Sequence, residues 1–127
     1  MREPRTRTAV ILLVEDEGGL RRLNARALES RGYTVLQAAN GIEAIASFDS
    51  HSGKIDLVLS DVVMPEMGGR ALFDELRKRD PNVKIIFVSG YAGEALDNLP
   101  EGQQYKFLAK PFSLKQLIGA VKETTGM

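Results

Sequence analysis

The sequence predicts a three-layer α/β domain, in which helices cover both faces of a five-stranded parallel sheet. Residues 9–14 and 85–88 form short apolar runs, and residues 55–59 form a third run that is broken only by Asp56. Short continuous apolar runs bounded by turn signals are typical of strands that are buried on both faces. Segments with helical periodicity separate these runs, and such alternation of strand and helix is typical of parallel sheets.

The elements alternate along the whole chain. The predicted strands cover residues 9–14, 33–38, 54–61, 84–88 and 105–109. Helices are predicted for residues 18–31, 70–79 and 92–99, and two more begin after the capping residues Asn40 and Ser113. The apolar residues expected to face the sheet are, helix by helix, Leu20, Leu23, Ala27 and Leu28; Ile42, Ile45 and Phe48; Leu72, Phe73 and Leu76; and Leu114, Leu117, Ile118 and Val121. In the first helix this leaves Arg22, Ala25 and Arg26 pointing outward.

The composition excludes several classes of protein. The 127 residues suffice for one domain with a core, and 17 basic residues balance 17 acidic ones, which gives no electrostatic reason to expect binding to nucleic acid or to a membrane. The chain has no cysteine, so it contains neither a disulfide framework nor a thiolate metal site. It shows no signal peptide or membrane-spanning run, and we expect it to work in the cytoplasm. Residues 1–8 are predicted to be a flexible tail or linker stub, followed by one domain at 9–125.

Polar residues follow four of the strands. With right-handed crossovers, a flavodoxin-like strand order of 2-1-3-4-5 is expected, which places the switch point of the sheet between strands one and three. Glu15 and Asp16 follow the first of these strands, and Asp61 ends the other. Ser89 and Lys110 end the fourth and fifth strands. The carboxyl ends of these strands are where ligands bind in such sheets.

Three neighbouring carboxylates need a compensating charge. At about 4 Å and an effective dielectric constant of about 20, each pair would repel by about 4 kcal/mol. A hard divalent cation removes this repulsion, and oxygen ligands without His or Cys indicate Mg²⁺ or Mn²⁺. Taken singly, the acids could be solvated strand ends, Ser89 a helix cap and Lys110 a surface lysine.

Four motifs together resemble the signature of receiver domains of two-component response regulators. They are Val-Glu15-Asp16-Glu, Ser-Asp61-Val-Val-Met-Pro65, Val-Ser89-Gly90-Tyr91 and Lys110-Pro111-Phe112. The likeness covers about residues 9–124. The segments Val-Ser-Gly-Tyr-Ala92 and Lys-Pro-Phe-Ser-Leu-Lys-Gln-Leu117 are similar to the carboxy-terminal receiver of hybrid histidine kinases of the CckA type.

The resemblance implies a role for each residue of these motifs. Asp61 would be the phosphoacceptor, and Glu15, Asp16, Asp61 and the carbonyl of Val63 would hold Mg²⁺ or Mn²⁺. Lys110, the Ser89 hydroxyl and the Gly90 amide would bind phosphoryl oxygens, as suits phosphoryl transfer. Ser89 and Phe107 would form the switch, and the Lys110–Pro111 peptide would be cis. The domain would catalyse its own phosphorylation and dephosphorylation without being an enzyme in the usual sense.

The sequence departs from the family pattern at a few positions. Glu15 replaces the commoner Asp, which puts direct metal contact there in doubt, and Gly68 replaces an acid in the turn after Asp61. Val63 and Tyr91 offer no carboxylate or amide to position hydrolytic water, so slow loss of the phosphoryl group is expected.

The expected partners are a histidine kinase, a histidine phosphotransfer protein or both, and the domain is expected to be a monomer. The parent protein would be a hybrid kinase, with or without a membrane anchor of its own. One alternative is a free-standing single-domain regulator that acts as a phosphorylation-dependent binding switch. Another is an aspartate-nucleophile phosphatase, which would need a second Asp where Val63 stands. A flavin binder is disfavoured because the acids of residues 15–17 would repel a phosphate, and the lone His51 is expected to be a surface residue.

Overall fold

The computed structural model describes residues 8–51, 54–90 and 105–126. These residues form five strands and four helices. The strands are Val10–Val14 (β1), Thr34–Ala38 (β2), Leu57–Asp61 (β3), Ile85–Ser89 (β4) and Tyr105–Ala109 (β5). The helices are Gly18–Glu29 (α1), Gly41–Ser50 (α2), Gly69–Arg79 (α3) and Leu114–Thr125 (α4). The helix predicted for residues 92–99 lies outside the described residues, as do residues 1–7 of the predicted tail.

The strands form one parallel sheet in the order β2-β1-β3-β4-β5, which confirms the predicted topology. Every residue of β3 and β4 is buried. Because Val14 pairs with Ser60, the residues that follow them, Glu15 and Asp61, come side by side at the carboxyl edge. The switch point therefore lies where the sequence predicts it.

Two apolar layers cover the sheet. On one face, Leu12, Val14 and Val58 pack with residues of α2 and α3, among them Phe48 and Phe73. On the other face, the alternate residues of β1 and β3 pack against α1 and α4. This layer includes Ile11, Leu13, Leu57 and Leu59 from the strands, with Leu28 and Leu117 from the helices. Since side chains alternate along a strand, Asp61 shares its face with Leu57 and Leu59, toward α1 and α4.

The helix termini follow the predicted capping chemistry. The side chain of Asn40 accepts a hydrogen bond from the Glu43 amide (2.8 Å) at the start of α2. Ser113 and Gln116 form a complete capping box at the start of α4. After α1, Gly32 has a φ of 94°, a conformation that glycine adopts without steric cost.

The prediction for the inward face of α1 is wrong. The buried residues are Asn24, Ala25 and Leu28, whereas Leu23 is 56% exposed. The helix is thus turned by roughly 100°, the angle of one residue, from the predicted orientation. This orientation places Ala25, rather than Leu23, against the sheet, and it brings Asn24 beneath the acids. Apolar periodicity missed it because one of the three buried positions is polar.

Two residues of the other predicted stripes are also exposed. Ile42 in α2 is 61% exposed and Leu114 in α4 is 49% exposed, although Phe48 and Leu117 on the same helices are buried as predicted. Both exposed residues lie in the first turn of their helix. Periodicity gives the direction of a stripe but does not tell how far along the helix the packing extends.

None of the helices in the described part of the chain is both long enough and apolar enough to cross a lipid bilayer.

Candidate functional site: an acidic pocket with a lysine

Three carboxylates converge at the switch point of the sheet. Glu15, Asp16 and Asp61 each offer an oxygen, and these oxygens all lie within 4.8 Å of one another. Glu15 and Asp61 are each only 6% exposed, while Asp16 is exposed. The pocket therefore has two buried acids from adjacent strands and one acid open to solvent.

Lys110 approaches the two buried acids from the end of β5. Its Nζ lies 3.1 Å from Asp61 Oδ1 and 3.8 Å from Glu15 Oε1. Burial lowers the pKa of Lys110, but the hydrogen bond and charge of Asp61, with the charges of Glu15 and Asp16, outweigh this and leave its pKa above the usual value. Lys110 is therefore a permanent cation in the pocket. The peptide between Lys110 and Pro111 is cis, as the family resemblance implies.

Glu15 has the most perturbed carboxyl group of the pocket. Burial, followed by a hydrogen bond with Asp61 and the charge of Asp61, raises its pKa to about 7, against the lowering effects of the Glu17 amide and of Lys110. The Glu17 amide donates to Glu15 Oε2 at 3.0 Å. The two buried acids are thus short of positive charge even with Lys110 beside them.

Contacts at the start of α1 hold the segment that carries Glu15. Glu17 caps the helix by accepting a hydrogen bond from the Leu20 amide. The guanidinium of Arg21 donates to the carbonyl oxygen of Glu15 at 2.8 Å. The first turn of the helix therefore fixes the backbone on which the acids stand.

The loop after Asp61 is held at both of its ends. The Val62 amide donates to the Val88 carbonyl (3.0 Å), and the Gly69 amide donates to the Val62 carbonyl (2.8 Å). A Cβ on Gly69 would lie 2.5 Å from the Asp61 carbonyl oxygen, so this close return of the chain requires glycine. The side chain of Val63, whose carbonyl the resemblance assigns to the metal, is 59% exposed.

Met67 anchors the middle of the same loop on α2. A Cβ built on Gly41 would lie 2.6 Å from Met67 Sδ and 2.9 Å from its Cγ. The absence of a side chain at Gly41 thus makes room for Met67. Glu66, just before it, has a φ of 69°.

The predicted switch residues lie on the neighbouring strands. Ser89 is 3% exposed at the end of β4, one residue beyond the partner of Asp61 in that strand, and its carbonyl accepts from the Lys110 amide at 2.8 Å. Gly90 follows it and is exposed. Phe107 in β5 is 39% exposed. Tyr91 lies outside the described residues.

Sequence reasoning missed Asn24. This residue is 6% exposed on the inward face of α1 and lines a small cavity together with Glu15 and Asp61. Its spacing from Leu28 could have revealed it, because residues four apart lie on the same face of a helix. Leu28 is the one apolar residue of the predicted stripe that is fully buried. Had Leu28 set the phase of the helix, Asn24 would have been predicted to face the pocket.

The donors of the pocket fit a hard divalent cation. They are carboxylate oxygens, with no sulfur or imidazole among the residues that line this part of the described chain, as Mg²⁺ and Mn²⁺ prefer. A cation would also relieve the electrostatic conflict that raises the pKa of Glu15. The described residues thus include an acidic cluster that can bind a metal ion.

Fold and pocket together define a class: a doubly wound α/β domain with an acid and lysine pocket at the switch point of its sheet. Residues 11–122 match the response regulator receiver domain family, and the chain belongs to that family. The resemblance seen in the sequence motifs is therefore confirmed.

Individual relatives agree with this assignment. The chain is 56% identical over 117 residues to the sensor kinase CckA of Brucella abortus, a match that covers 91% of this chain but 12% of that kinase. It is 37% identical over 114 residues to the response regulator receiver protein CpdR of the same organism, covering 89% of this chain and 93% of CpdR. A crystal structure of the receiver domain of the hybrid histidine kinase CckA superposes with a TM-score of 0.80 at 38% identity, covering 92% of this chain and 99% of that one.

Proposed function

We propose that this receiver takes a phosphoryl group from a phosphohistidine onto Asp61 and passes it on within a two-component phosphorelay. The observation that carries the proposal is the position of Asp61. Its carboxylate is 3.1 Å from the Lys110 ammonium. One of its oxygens also lies within 4.8 Å of an oxygen of Glu15 and of an oxygen of Asp16. This combination supplies a nucleophile, a fixed cation and metal ligands, which are the parts that phosphoryl transfer requires.

The proposed reaction is a displacement at phosphorus. An oxygen of the Asp61 carboxylate forms a P–O bond while the P–N bond of the phosphohistidine breaks. The electron pair of that bond stays on the imidazole nitrogen, which takes a proton from solvent. Lys110, the Ser89 hydroxyl and the Gly90 amide would bind the phosphoryl oxygens.

Four oxygen donors would hold the cation, for which Mg²⁺ or Mn²⁺ is proposed. They are carboxylates of Glu15, Asp16 and Asp61 and the carbonyl of Val63, with Glu15 acting directly or through water. When bound, the cation supplies positive charge to the carboxylates and to the phosphoryl oxygens. A solved relative supports this choice: the response regulator protein TrrA from Thermotoga maritima, 32% identical with a TM-score of 0.80 over 92% of this chain and 99% of that one, was crystallised in complex with Mg²⁺-BeF.

A groove beside the pocket is the proposed docking surface for the phosphohistidine protein. It has a volume of about 510 Å³, and Leu20, Leu23, Pro111, Phe112 and Leu114 line it together with Lys110. Leu23 and Leu114 are largely exposed there, and Arg22 and Arg26 flank them. Because Lys110 lines both the groove and the acidic pocket, a partner seated in the groove would bring its histidine near Asp61. The exposed apolar and basic residues of this surface thus favour a partner with an apolar and acidic helical face.

The origin of the domain is proposed from the same comparison. The identity of 56% to a CckA kinase favours a receiver unit at 9–125 within a hybrid histidine kinase that works on the cytoplasmic side. CpdR, which this chain covers almost fully, favours the second candidate, a free-standing regulator. In that case Ser89 and Phe107 would form an output switch, since Phe107 is exposed enough to move inward.

Phosphorylation tests the first part of the proposal. Acetyl phosphate, or beryllium fluoride as an analogue of the phosphoryl group, should modify the wild type in the presence of Mg²⁺, and Asp61→Asn should abolish the modification. Asp74→Asn, on the outer part of α3, is the matched control and should behave as the wild type. Equal labelling of Asp61→Asn and the wild type would refute the assignment.

Transfer to a partner tests the relay. The domain is loaded with labelled phosphate at Asp61, and a histidine phosphotransfer domain is added. Transfer of the label to the histidine, with slow loss to inorganic phosphate when the partner is omitted, is expected. Rapid loss without the partner and no transfer with it would favour an output switch instead.

A further inference from the structure

The inference concerns Asn24, a polar residue buried between helix α1 and the acidic pocket. It is 6% exposed, and the hydrogen bonds found among the described residues do not involve its carboxamide. Asn24 also lines the groove beside the pocket, so water can reach its carboxamide and supply the hydrogen bonds that the protein does not. Buried polar groups in this situation are commonly bonded to an internal water molecule.

Next to Asn24 lies a cavity of the size that one water molecule needs. Its volume is about 10 Å³, near the lower limit of about 10–15 Å³ that a single water requires. Apolar residues form most of the wall, including Leu13, Leu59, Val88 and Phe112. Among the residues that line it, Asn24, Glu15 and Asp61 carry polar side chains directed to this face of the sheet, and three partners suit one water.

We propose that Asn24 is a positioning residue, which through one water in this cavity holds the Glu15 carboxylate in place for the cation. The inference rests on the proposed phosphoacceptor function, and it adds a residue from α1 to a site otherwise built at strand ends. Ligands of a metal are generally oriented by such second contacts, whose loss weakens metal affinity by about 10–100-fold.

The chemistry of Glu15 explains why such support is needed here. One of its oxygens accepts from the Glu17 amide at 3.0 Å, and the other lies 3.8 Å from Lys110 Nζ, too far for a hydrogen bond. Glutamate also has one more rotatable bond than the aspartate commoner at this position. The other polar contact of the side chain is its hydrogen bond with Asp61, and a water donating from the cavity would add a further restraint on the carboxylate.

The first test replaces the amide with an apolar group of similar size. Asn24→Leu should expel the water, and the half-saturating Mg²⁺ concentration, measured by calorimetry or by the rise in melting temperature, should increase about tenfold. Asn24→Ser, which keeps a polar group, should retain most of the affinity. Asn82→Leu makes the same chemical change at an exposed position and should leave the affinity unchanged.

A second measurement separates positioning from a general packing role. With acetyl phosphate, Asn24→Leu should need more Mg²⁺ but should reach the wild-type rate at saturation, whereas a packing defect would lower the melting temperature without moving the Mg²⁺ dependence. A high-resolution crystal structure of the wild type should show the water within hydrogen-bonding distance of Asn24 and Glu15.

Each outcome bears on one proposal. If wild type and Asn24→Leu have the same Mg²⁺ dependence, or if the crystal structure shows a dry cavity, the inference is overturned while the phosphoacceptor function stands. If Asn24→Leu does not fold, equal Mg²⁺ affinity of Asn24→Ala and the wild type overturns it. Failure of the wild type to be phosphorylated at Asp61 would instead defeat the function itself.

Discussion

Lys110 Nζ and Asp61 Oδ1 lie 3.1 Å apart, and this pair joins the fifth strand to the third at the carboxyl edge of the sheet. The Asp61 side chain is 8% exposed and that of Lys110 is 33% exposed. Lys110 therefore compensates the buried acids and also remains reachable from outside, as its proposed binding of a phosphoryl oxygen requires.

Replacement of this cation should affect stability and phosphorylation together. In Lys110→Gln, Asp61 and Glu15 lose their compensating charge, and the free energy of unfolding in the absence of Mg²⁺ should fall by about 1–2 kcal/mol. Phosphorylation by acetyl phosphate should slow as well. Lys106→Gln is the control, because Lys106 is in the same strand and bonds only to the exposed Glu123 (2.8 Å) among the described residues. Urea denaturation measures the first effect, and equal stability of the two variants would contradict it.

The pH dependence of stability should report on Glu15. Its pKa of about 7 in the folded state lies above the ordinary value of 4.5, so the folded domain binds more protons than the unfolded chain between these values. Without Mg²⁺, the contribution of Glu15 to stability should therefore decrease as the pH rises from about 4.5 to about 7. Urea denaturation in chelator at several pH values should show this decrease in the wild type.

Glu15→Gln removes the titrating group and provides the control for this measurement. The variant should lack the component of the decrease that arises at Glu15, and Mg²⁺ should stabilise the wild type most at the upper end of the range, where the carboxylate is charged. Parallel curves for wild type and variant would show that Glu15 does not carry the effect.

A third prediction concerns Asp16, the proposed metal ligand that is open to solvent. Asp16→Asn removes one of three carboxylates, so it should weaken or abolish the rise in melting temperature with Mg²⁺ while it stabilises the metal-free domain. Differential scanning calorimetry with and without Mg²⁺ measures both. An unchanged Mg²⁺ response would count against the pocket as the cation site.

Three glycines should respond differently to alanine. Gly69→Ala should destabilise most, because the new Cβ would lie 2.5 Å from the Asp61 carbonyl oxygen, which is backbone. Gly41→Ala should destabilise by about 1–3 kcal/mol through its clash with Met67, and Met67→Ala in the same chain should relieve part of this loss. Gly119→Ala meets no atom within 4 Å and should stabilise α4 by up to about 1 kcal/mol. Thermal or urea unfolding of the four variants checks this order.

The docking groove yields the fifth prediction. Leu23→Glu places a charge among the apolar residues of the groove and should slow phosphoryl transfer with a protein partner without changing phosphorylation by acetyl phosphate. Ile42→Glu is matched in chemistry and exposure but lies on α2, outside the groove, and should leave both reactions unchanged. If the two variants transfer equally well, the partner docks elsewhere.

Sequence periodicity predicts the strands here better than the faces of the helices. β1, β3 and β4 are buried on both sides, so their apolar runs are nearly continuous and their ends, with Glu15 and Asp61, are sharply marked. For α1 the pattern misleads, because Leu23 is exposed in the groove while Asn24 is buried. Helix faces are predicted by the rule that apolar residues point to the core and polar residues to solvent. A surface that binds a partner breaks this rule with exposed apolar residues, and a polar pocket breaks it with buried polar residues.

The remainder of the site depends on tertiary distances. The motifs predict which strand ends meet, but they do not predict that Lys110 lies 0.7 Å closer to Asp61 than to Glu15, as the distances of 3.1 and 3.8 Å imply. Nor does the sequence predict that Met67 fits against Gly41. Such contacts depend on how the loops return to the sheet, which local patterns do not encode.

The distance in sequence between Asp61 and Lys110 has a consequence during synthesis. A ribosome that has released the chain through β3 has already delivered both buried acids, but the lysine that compensates them follows β5. Until β5 has emerged, the nascent sheet lacks that strand and carries an unbalanced negative patch at its edge. The pocket proposed as the phosphoacceptor site is therefore complete only after Lys110 has joined the two acids.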